Sequence, residues 1–399
     1  MTREASTTTP TLDFDGLRPP SPWLTDAHLQ WRQRVRAFVM QEIEPQLDQW
    51  EASGTFPDSL YETAARAGML GVGFPSQLGG HTEDADPYYR MLFAEELHRP
   101  GSGVVFADLA THWIALPPVV QFGAPELRES VVRPVLAGAR RMAFAVTEPG
   151  GGSDAGALQT RAERRDAEWL VNGSKTLISG ALRADFILTA VRTGGPGAGG
   201  ISLLLVDAVS PGLERRVVPG LRWYNSSIGT LEFRDVHVPL DRLIGPENRG
   251  FAALARQFNV ERLSGIAATL AMSRTAVAEA IAWAQQREAF GHRLVEHQAV
   301  RHKLVDLVRA IRVAYAFLDQ CVWRLQRGET VVADIAMLKV QATRTLERCA
   351  RESMHVLGGR AYTGPTRIER IYREARIFAL GGGTEEILDD LAARQLGLL

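Results

Sequence analysis

The chain has 399 residues, of which 45% are hydrophobic and 23% charged, so it is long enough for about two or three domains. Its formal net charge of -1, from 45 basic and 46 acidic residues, argues against a nucleic-acid-binding protein, which would carry a basic face. The two cysteines, Cys321 and Cys349, are too few for a disulfide framework, and we expect both to be buried.

The first 22 residues are rich in threonine, proline and small polar residues, and this composition predicts a flexible N-terminal arm over residues 1–22. No signal-peptide pattern occurs there, and no run of about 18 apolar residues follows, so we expect a cytoplasmic protein without a transmembrane helix. Residues 23–140 show helical periodicity, as in the apolar positions Trp31, Val35 and Phe38.

The periodicity changes near Met142, and residues 141–250 predict an antiparallel β-domain. Two β-rich runs, 186–191 and 201–206, flank a glycine-rich loop. The Asn172-Gly173 pair is typical of a two-residue hairpin turn and predicts one at that point.

Helical periodicity returns in residues 251–399 and predicts a C-terminal α-domain resembling a four-helix bundle, with a last helix from about Glu385 to Gln395. The predicted fold is therefore α+β and multidomain, with helical domains on both sides of a β-domain.

Glycines at residues 195–200 match the G-x-G-x-x-G pattern of dinucleotide-binding proteins. That motif requires a strand before it and a helix after it, whereas here a strand follows, so we interpret it as a hairpin loop. The histidines are scattered without ligand spacing, and we expect no metal site.

The segment 143–154 reads Ala-Phe-Ala-Val-Thr-Glu-Pro-Gly-Gly-Gly-Ser-Asp. Its three glycines allow the backbone to approach a ligand closely. By itself this pattern is compatible with a phosphate-binding loop or with a surface turn.

Together with other segments, this motif resembles the acyl-CoA dehydrogenase family over about residues 25–397. The matching segments occur in the family's order, and six in register are more specific than any one alone. They are Phe122–Glu126 (FGAPE), Thr147–Asp154 (TEPGGGSD), Gly173–Gly180 (GSKTLISG), Arg287–Gly291 (REAFG) with Glu296–Gln298 (EHQ), Leu357–Tyr362 (LGGRAY) with Glu369–Arg376 (ERIYREAR), and Gly381–Ile387 (GGGTEEI).

The resemblance implies an FAD-dependent enzyme of fatty acid metabolism that oxidises an acyl thioester to its trans-2-enoyl form. A carboxylate removes the α-proton while the β-hydride passes to flavin N5. The thioester is carried by CoA or by an acyl carrier protein, an electron-transfer flavoprotein accepts the electrons, and the enzyme is a homodimer or homotetramer. Only three basic residues are lysines, a bias typical of a GC-rich bacterial genome. Neither a nucleic acid nor a membrane is an expected partner.

Two positions in the family carry the catalytic carboxylate. One is occupied here by Gly382, which can still donate its backbone N–H to the thioester oxygen. The other, shared with the isovaleryl and long-chain enzymes, is Glu261 in the sequence Asn259-Val260-Glu261-Arg262-Leu263. The resemblance therefore implies Glu261 as the base. The alternatives are that Glu261 is a solvated helix carboxylate, or that Glu385 or Glu386 is the base, although acidic residues in a first helical turn are also explained by the helix dipole.

Other site residues are carried over from the matching motifs. The expected substrate contacts are Ser153, Asn259, Arg262 and Gly383. The expected cofactor contacts are Phe144, Val146, Thr147, Gly152, Ser153, Leu177, Ile178, Ser179, Arg287, Phe290, Gln298, His355, Gly358, Gly359, Thr384 and Glu386. Arg287 is expected to reach the cofactor of a neighbouring subunit; the alternative is a cation that complements the helix dipole.

Two residues depart from the family pattern. Leu177 stands where an aromatic ring usually packs on the flavin, and Gly180 replaces an asparagine. The departure at Leu177 keeps two alternatives open, an acyl-CoA oxidase or a flavin monooxygenase on the same fold. A third is a flavin-free scaffold protein that retained the fold.

Overall fold

The computed structural model describes residues 12–218 and 228–399. In chain order, the described part contains a group of helices, a seven-stranded sheet and a second group of longer helices. This order confirms the predicted α+β architecture.

The N-terminal helices surround one apolar cluster that also receives residues from the sheet. Helix α1 starts at a cap in which the Thr25 hydroxyl accepts from the His28 backbone N–H, and it buries Trp31, Val35 and Phe38 as the periodicity predicted. The helices are α1 (Asp26–Phe38), α2 (Leu47–Ser53), α3 (Ser59–Arg66), α4 (Pro87–His98), α5 (Val104–Leu109), α6 (His112–Phe122) and α7 (Pro125–Leu136).

The prediction of a flexible arm is wrong for the part of the arm that the structure describes. Leu17 is completely buried in the C-terminal core, and the Arg18 side chain lies 3.6 Å from Glu95 and 3.8 Å from Asp319. The Arg274 side chain donates to the Phe14 carbonyl at 2.8 Å. Composition suggested a solvated segment, but one apolar anchor and two buried arginines attach it to the helices.

Residues 104–122 are long and apolar enough to resemble a membrane span. They form two helices, α5 and α6, rather than one. More than half of the stretch is buried, with Leu109, Trp113 and Leu116 in the N-terminal core. In this fold, residues 104–122 therefore form two helices that pack in the N-terminal core.

The middle domain is a largely antiparallel sheet, as predicted, and it also contains parallel pairing that the sequence did not predict. Strand β4 pairs parallel with β1 and, at one position, with β2, while the other pairings are antiparallel. The strands are β1 (Met142–Ala145), β2 (Arg161–Arg165), β3 (Glu168–Ile178), β4 (Phe186–Arg192), β5 (Ile201–Asp207), β6 (Leu213–Val217) and β7 (Gly229–Pro239); their order is β1-β4-β2-β3-β7-β6, and β5 pairs with β4. The β4–β5 hairpin confirms that the glycines at 195–200 form a loop before a strand.

The predicted hairpin turn at Asn172-Gly173 does not exist. Both residues lie inside β3, where the register with β7 shifts. Gly173 has φ +140°, and a side chain there would start only 2.6 Å from the Thr160 Cα. Asn172 exchanges two hydrogen bonds with Asp235 on β7. Asn172 and Gly173 therefore form part of a β-bulge in which the backbone approaches Thr160 closely. Glycine suits such a bulge as well as it suits a hairpin turn.

The C-terminal domain contains four long helices, α8 to α11, around a second apolar cluster that includes both buried cysteines. A short helix, α12, packs on α10 through Leu388 and Ala392. The elements are α8 (Gly250–Gln286), the hairpin β8 (Glu288–Ala289) and β9 (His292–Arg293), α9 (Gln298–Gln326), α10 (Val332–Leu357), α11 (Arg367–Leu380) and α12 (Glu385–Gln395).

Candidate active site

The loop that follows β1 is a tight turn with an open glycine face. Glu148 and Gly151 exchange backbone hydrogen bonds of 3.1 Å, and a Cβ at Gly150 or Gly151 would have no neighbouring atom within 4 Å. A Cβ at Gly152 would lie 3.4 Å from Thr147 Cγ2 and fill the space beside it. Gly152 and Ser153 are both exposed. The loop thus leaves room for a group that approaches its backbone.

This loop is attached to β3 by a buried ion pair. Lys175 Nζ donates to Glu148 Oε1 at 2.8 Å and to the Val146 carbonyl at 3.0 Å. Glu148 also accepts from the backbone N–H groups of Gln159 and Thr160. Burial lowers the pKa of Lys175 to about 8, although the Glu148 carboxylate opposes this effect. Sequence reasoning missed the pair, and its only signal was that both residues lie in matching motifs.

Leu177 stands at a second irregularity in β3, between Lys175 and Ile178. It has φ +57°, a conformation that costs a leucine roughly 1–2 kcal/mol, and half of its surface is exposed. Ile178 is buried and Ser179 is partly buried. The Thr176 N–H donates to the Thr147 carbonyl at 2.9 Å, so β3 lies beside the loop. The structure therefore brings together the first group of predicted cofactor contacts: Phe144, Val146, Thr147, Gly152, Ser153, Leu177, Ile178 and Ser179.

Glu261 lies on α8 and is partly buried. Burial raises the pKa of its carboxyl group, while the positive charges of Arg262 and Lys339 oppose the rise. Desolvation disfavours the anion, so this carboxylate is a stronger proton acceptor than an exposed one. This behaviour differs from that expected of a solvated helix carboxylate.

The loop before α12 meets α8 at this point. Arg262 Nε donates to the Gly382 carbonyl at 3.1 Å, and Arg262 Nη1 donates to Asn259 Oδ1 at 3.1 Å. Gly382 and Gly383 have φ +71° and +109°, which favour glycine. A Cβ at Gly382 would have no atom within 4 Å, so open space adjoins this residue. The predicted substrate contacts Asn259, Arg262 and Gly383 are thus placed together with Gly382.

The two other acidic candidates have different surroundings. Glu385 pairs with Arg344 at 2.8 Å. Glu386 is exposed, and hydrogen bonds from its own backbone N–H and from Thr384 lower the pKa of its carboxyl group. Thr384 occupies the N-cap of α12. Glu385 is therefore held in an ion pair, and the surroundings of Glu386 favour its anion, unlike those of Glu261.

Six further predicted cofactor contacts belong to a group at the far end of α8, whereas Thr384 and Glu386 lie at the start of α12. Arg287 follows Glu261 by 26 residues, which is about 39 Å along a helix at 1.5 Å per residue. Phe290 is 94% exposed with φ +54°. The Arg360 guanidinium lies 4.8 Å from the Trp283 ring centre and joins this end of α8 to the turn after α10. The residues in this exposed group are Arg287, Phe290, Gln298, His355, Gly358 and Gly359.

The structure does not bring this second group to Glu261 within one chain. A separation of about 39 Å along a continuous helix exceeds the reach of any side chain. An exposed phenylalanine held in a left-handed conformation has no role in the core of its own subunit.

Comparison with known proteins matches the whole three-domain arrangement. Profiles of the acyl-CoA dehydrogenase N-terminal, middle and C-terminal domains match residues 25–139, 143–236 and 248–397. The acyl-CoA dehydrogenase AFT10-1 of Alternaria alternata is 32% identical over 95% of this chain and 93% of its own length. The long-chain specific acyl-CoA dehydrogenase of Rattus norvegicus mitochondria is 31% identical over 92% of this chain and 86% of its own.

Solved structures give the same result. A candidate acyl-CoA dehydrogenase from Mycobacterium smegmatis superimposes with a TM-score of 0.91 and is 40% identical, over 94% of this chain and 99% of its own. Since curated relatives above 30% identity are covered nearly end to end, the chain belongs to the acyl-CoA dehydrogenase family of oxidoreductases.

Proposed function

We propose that the protein is an FAD-dependent dehydrogenase that introduces a trans-2,3 double bond into an acyl thioester, with Glu261 as the base. The observation that carries the proposal is the partly buried carboxylate of Glu261 beside the Arg262-bound glycine loop. Gly382 leaves the alternative carboxylate position of the family without a side chain, so Glu261 is the acidic residue suited to that role.

The first group of residues fits a flavin. The loop at 150–152 is open to backbone approach, and Leu177 presents an exposed apolar face beside the partly buried Thr147 and Ser179. An apolar surface next to a few polar groups suits an aromatic ring system with a polar edge. When bound, FAD accepts the hydride from the substrate β-carbon.

The remaining steps belong to the residues of this chain. Glu261 takes the α-proton, and its raised pKa makes it a stronger proton acceptor than an exposed glutamate. The Gly382 N–H donates to the thioester oxygen as negative charge develops there. Arg262 fixes the Gly382 carbonyl, which orients the peptide that follows it. Ser153, Asn259 and Gly383 contact the substrate.

The second group serves the cofactor of a neighbouring subunit. Arg287, Phe290 and Gln298 are exposed and are too far from Glu261 to act in the same site. His355, Gly358 and Gly359 complete this surface, and Thr384 and Glu386 contact the cofactor from the start of α12. The enzyme is therefore a homodimer or homotetramer, in the cytoplasm.

The substrate is a CoA or acyl-carrier-protein thioester of fatty acid metabolism, and an electron-transfer flavoprotein accepts the electrons. The departure at Leu177 leaves an oxidase as the second candidate, because it changes the surface on which the flavin ring rests. Peroxide formation during turnover would favour the oxidase.

An anaerobic titration with a panel of acyl-CoAs tests the proposed function. The purified protein should be yellow, with one FAD per chain, and a matching acyl-CoA should bleach the flavin. In Glu261→Gln, FAD and acyl-CoA should still bind, and flavin reduction should slow by at least about 100-fold. Glu163→Gln, which breaks an exposed pair with Arg165 on β2, is the matched control and should reduce the flavin at nearly the wild-type rate. A Glu261→Gln enzyme with wild-type reduction would contradict the assignment of the base.

A further inference from the structure

Lys339, on α10, is a buried lysine that contacts the glycine loop at 381–383 before α12 and interacts electrostatically with the candidate base, Glu261. Its Nζ donates to the Gly383 carbonyl at 2.7 Å, and only 5% of the residue is exposed. Nothing in the matching motifs pointed to it. A lysine ammonium is rarely buried unless a specific interaction requires it.

The surroundings of Lys339 are mainly those of the proposed active site. From α8, the negative Glu261 and the positive Arg262 act on it, and from α12 the negative Glu385 does so. Burial lowers the pKa of Lys339 to about 8, with Arg262 acting in the same direction and Glu261 and Glu385 in the opposite one. The side chain therefore carries a positive charge at neutral pH.

Two cations hold adjacent carbonyls of the same loop. Arg262 binds the Gly382 carbonyl and Lys339 binds the Gly383 carbonyl. Both glycines have positive φ angles, so the loop depends on external hydrogen bonds rather than on regular structure. Both cations also act on the Glu261 carboxylate. Lys339 therefore both contacts the loop and influences the pKa of Glu261.

We propose that Lys339 is a positioning residue for proton abstraction: its ammonium, bound to the Gly383 carbonyl, fixes the loop and keeps a positive charge near Glu261. The inference rests on the proposed function, in which Glu261 is the base and the loop contacts the thioester. Lys339 does not contact the substrate. It acts by favouring the ionised, proton-accepting form of Glu261 and by holding the loop in place.

The test separates the charge from the hydrogen bond. Lys339→Gln keeps a donor for the Gly383 carbonyl and removes the charge, whereas Lys339→Arg keeps the charge. Lys303→Gln is the matched control, because Lys303 on α9 pairs with Glu352, which lies on α10 13 residues after Lys339. Each FAD-loaded variant is measured from pH 5 to pH 7, below the pKa of about 8 of Lys339 itself.

Two quantities are followed. One is the pH midpoint of flavin reduction by an acyl-CoA. The other is the pKa of the Glu261 carboxyl group from the infrared C=O band that Glu261→Gln removes, which requires no turnover. Loss of the cation should raise both values by about one pH unit in Lys339→Gln. Lys339→Arg and Lys303→Gln should keep the wild-type values.

An unchanged midpoint in Lys339→Gln, with or without a uniform loss of rate, would overturn the inference. If Lys339→Gln does not fold, a midpoint shift of more than half a pH unit in Lys339→Arg would overturn it, and wild-type values would support it. Failure of the proposed function gives a different result, since Glu261→Gln would then keep its rate of flavin reduction.

Discussion

The ammonium group of Lys175 lies 2.8 Å from a carboxylate oxygen of Glu148, and both side chains are buried. The pair connects the loop after β1 to β3, the two segments that carry the first group of cofactor contacts. Glu148 further accepts two backbone hydrogen bonds, from Gln159 and Thr160. The geometry of the proposed flavin surface therefore depends on a carboxylate that itself contacts no ligand in the proposed function.

Glu148→Ala should strongly destabilise the protein. It leaves the Lys175 charge buried without its counter-ion, and removing one partner of a buried pair typically costs about 3–5 kcal/mol. Denaturant unfolding of the apoprotein measures this loss. Glu163→Ala, which breaks an exposed pair with Arg165, is the control and should change the free energy of unfolding by less than about 1 kcal/mol. Equal losses of unfolding free energy in the two variants would show that the buried Glu148–Lys175 pair stabilises the fold no more than an exposed pair does.

The order of domains could be predicted from the sequence because periodicity reports which face of each element is buried. The last helix, Glu385–Gln395, was placed correctly by its first-turn acids and apolar spacing. The turn at Asn172-Gly173 was not, because the sequence does not show that Thr160 packs against Gly173 or that Asp235 pairs with Asn172. The Asn-Gly residue types favour a hairpin turn, but packing against other strands places them in a β-bulge.

The same limit applies to the site. Glu261 could be proposed as the base from the sequence because its neighbours Arg262 and Leu263 form a recognisable motif. Lys339 could not, because its partner Gly383 is 44 positions away along the chain and the contact depends on how α10 packs against α12. The parallel pairing of β1 with β4 was missed for the same reason, since strand direction is not encoded in alternation.

Gly173→Ala should destabilise the apoprotein by about 2–4 kcal/mol. A methyl group would lie 2.6 Å from the Thr160 Cα, and overpacking adds to the strain of φ +140°. Gly199→Ala is the control, because its Cβ would meet no atom within 4 Å. Thermal unfolding distinguishes the two. If Gly173→Ala were as stable as Gly199→Ala, the close approach in β3 would not constrain this position.

Leu177→Gly should weaken FAD binding without unfolding the protein. Relief of the left-handed strain, roughly 1–2 kcal/mol, is largely offset by the glycine entropy of about 0.5–1 kcal/mol. Covering the exposed half of the leucine contributes about 1 kcal/mol to binding, so the FAD dissociation constant should rise about fivefold. Fluorescence titration of the apoprotein measures it. Val209→Gly, at an exposed turn, should leave FAD affinity unchanged; an equal loss in both variants would contradict a flavin contact at Leu177.

Glu261→Gln should make the protein more stable at neutral pH, independently of its effect on catalysis. Burial raises the pKa of the Glu261 carboxyl group in the folded state, so the folded chain holds the proton to higher pH than the unfolded chain does. The stabilisation by the protonated form is complete below the unfolded pKa of about 4.5 and is lost as the pH rises through the folded value. Where this carboxyl group is ionised, the wild-type protein therefore holds a desolvated anion that the glutamine variant lacks.

The free energy of unfolding at pH 7 should be higher in Glu261→Gln than in the wild type, because burial raises the pKa of the carboxyl group that the variant lacks. The gain should shrink towards zero as the pH falls to about 4. Glu386→Gln is the control with the opposite sign, because hydrogen bonds lower the pKa of that exposed carboxyl group. Urea unfolding of the apoproteins at several pH values gives both curves. A Glu261→Gln variant that is less stable than wild type at pH 7 would show that the carboxylate is held as a structural ion rather than kept for proton transfer.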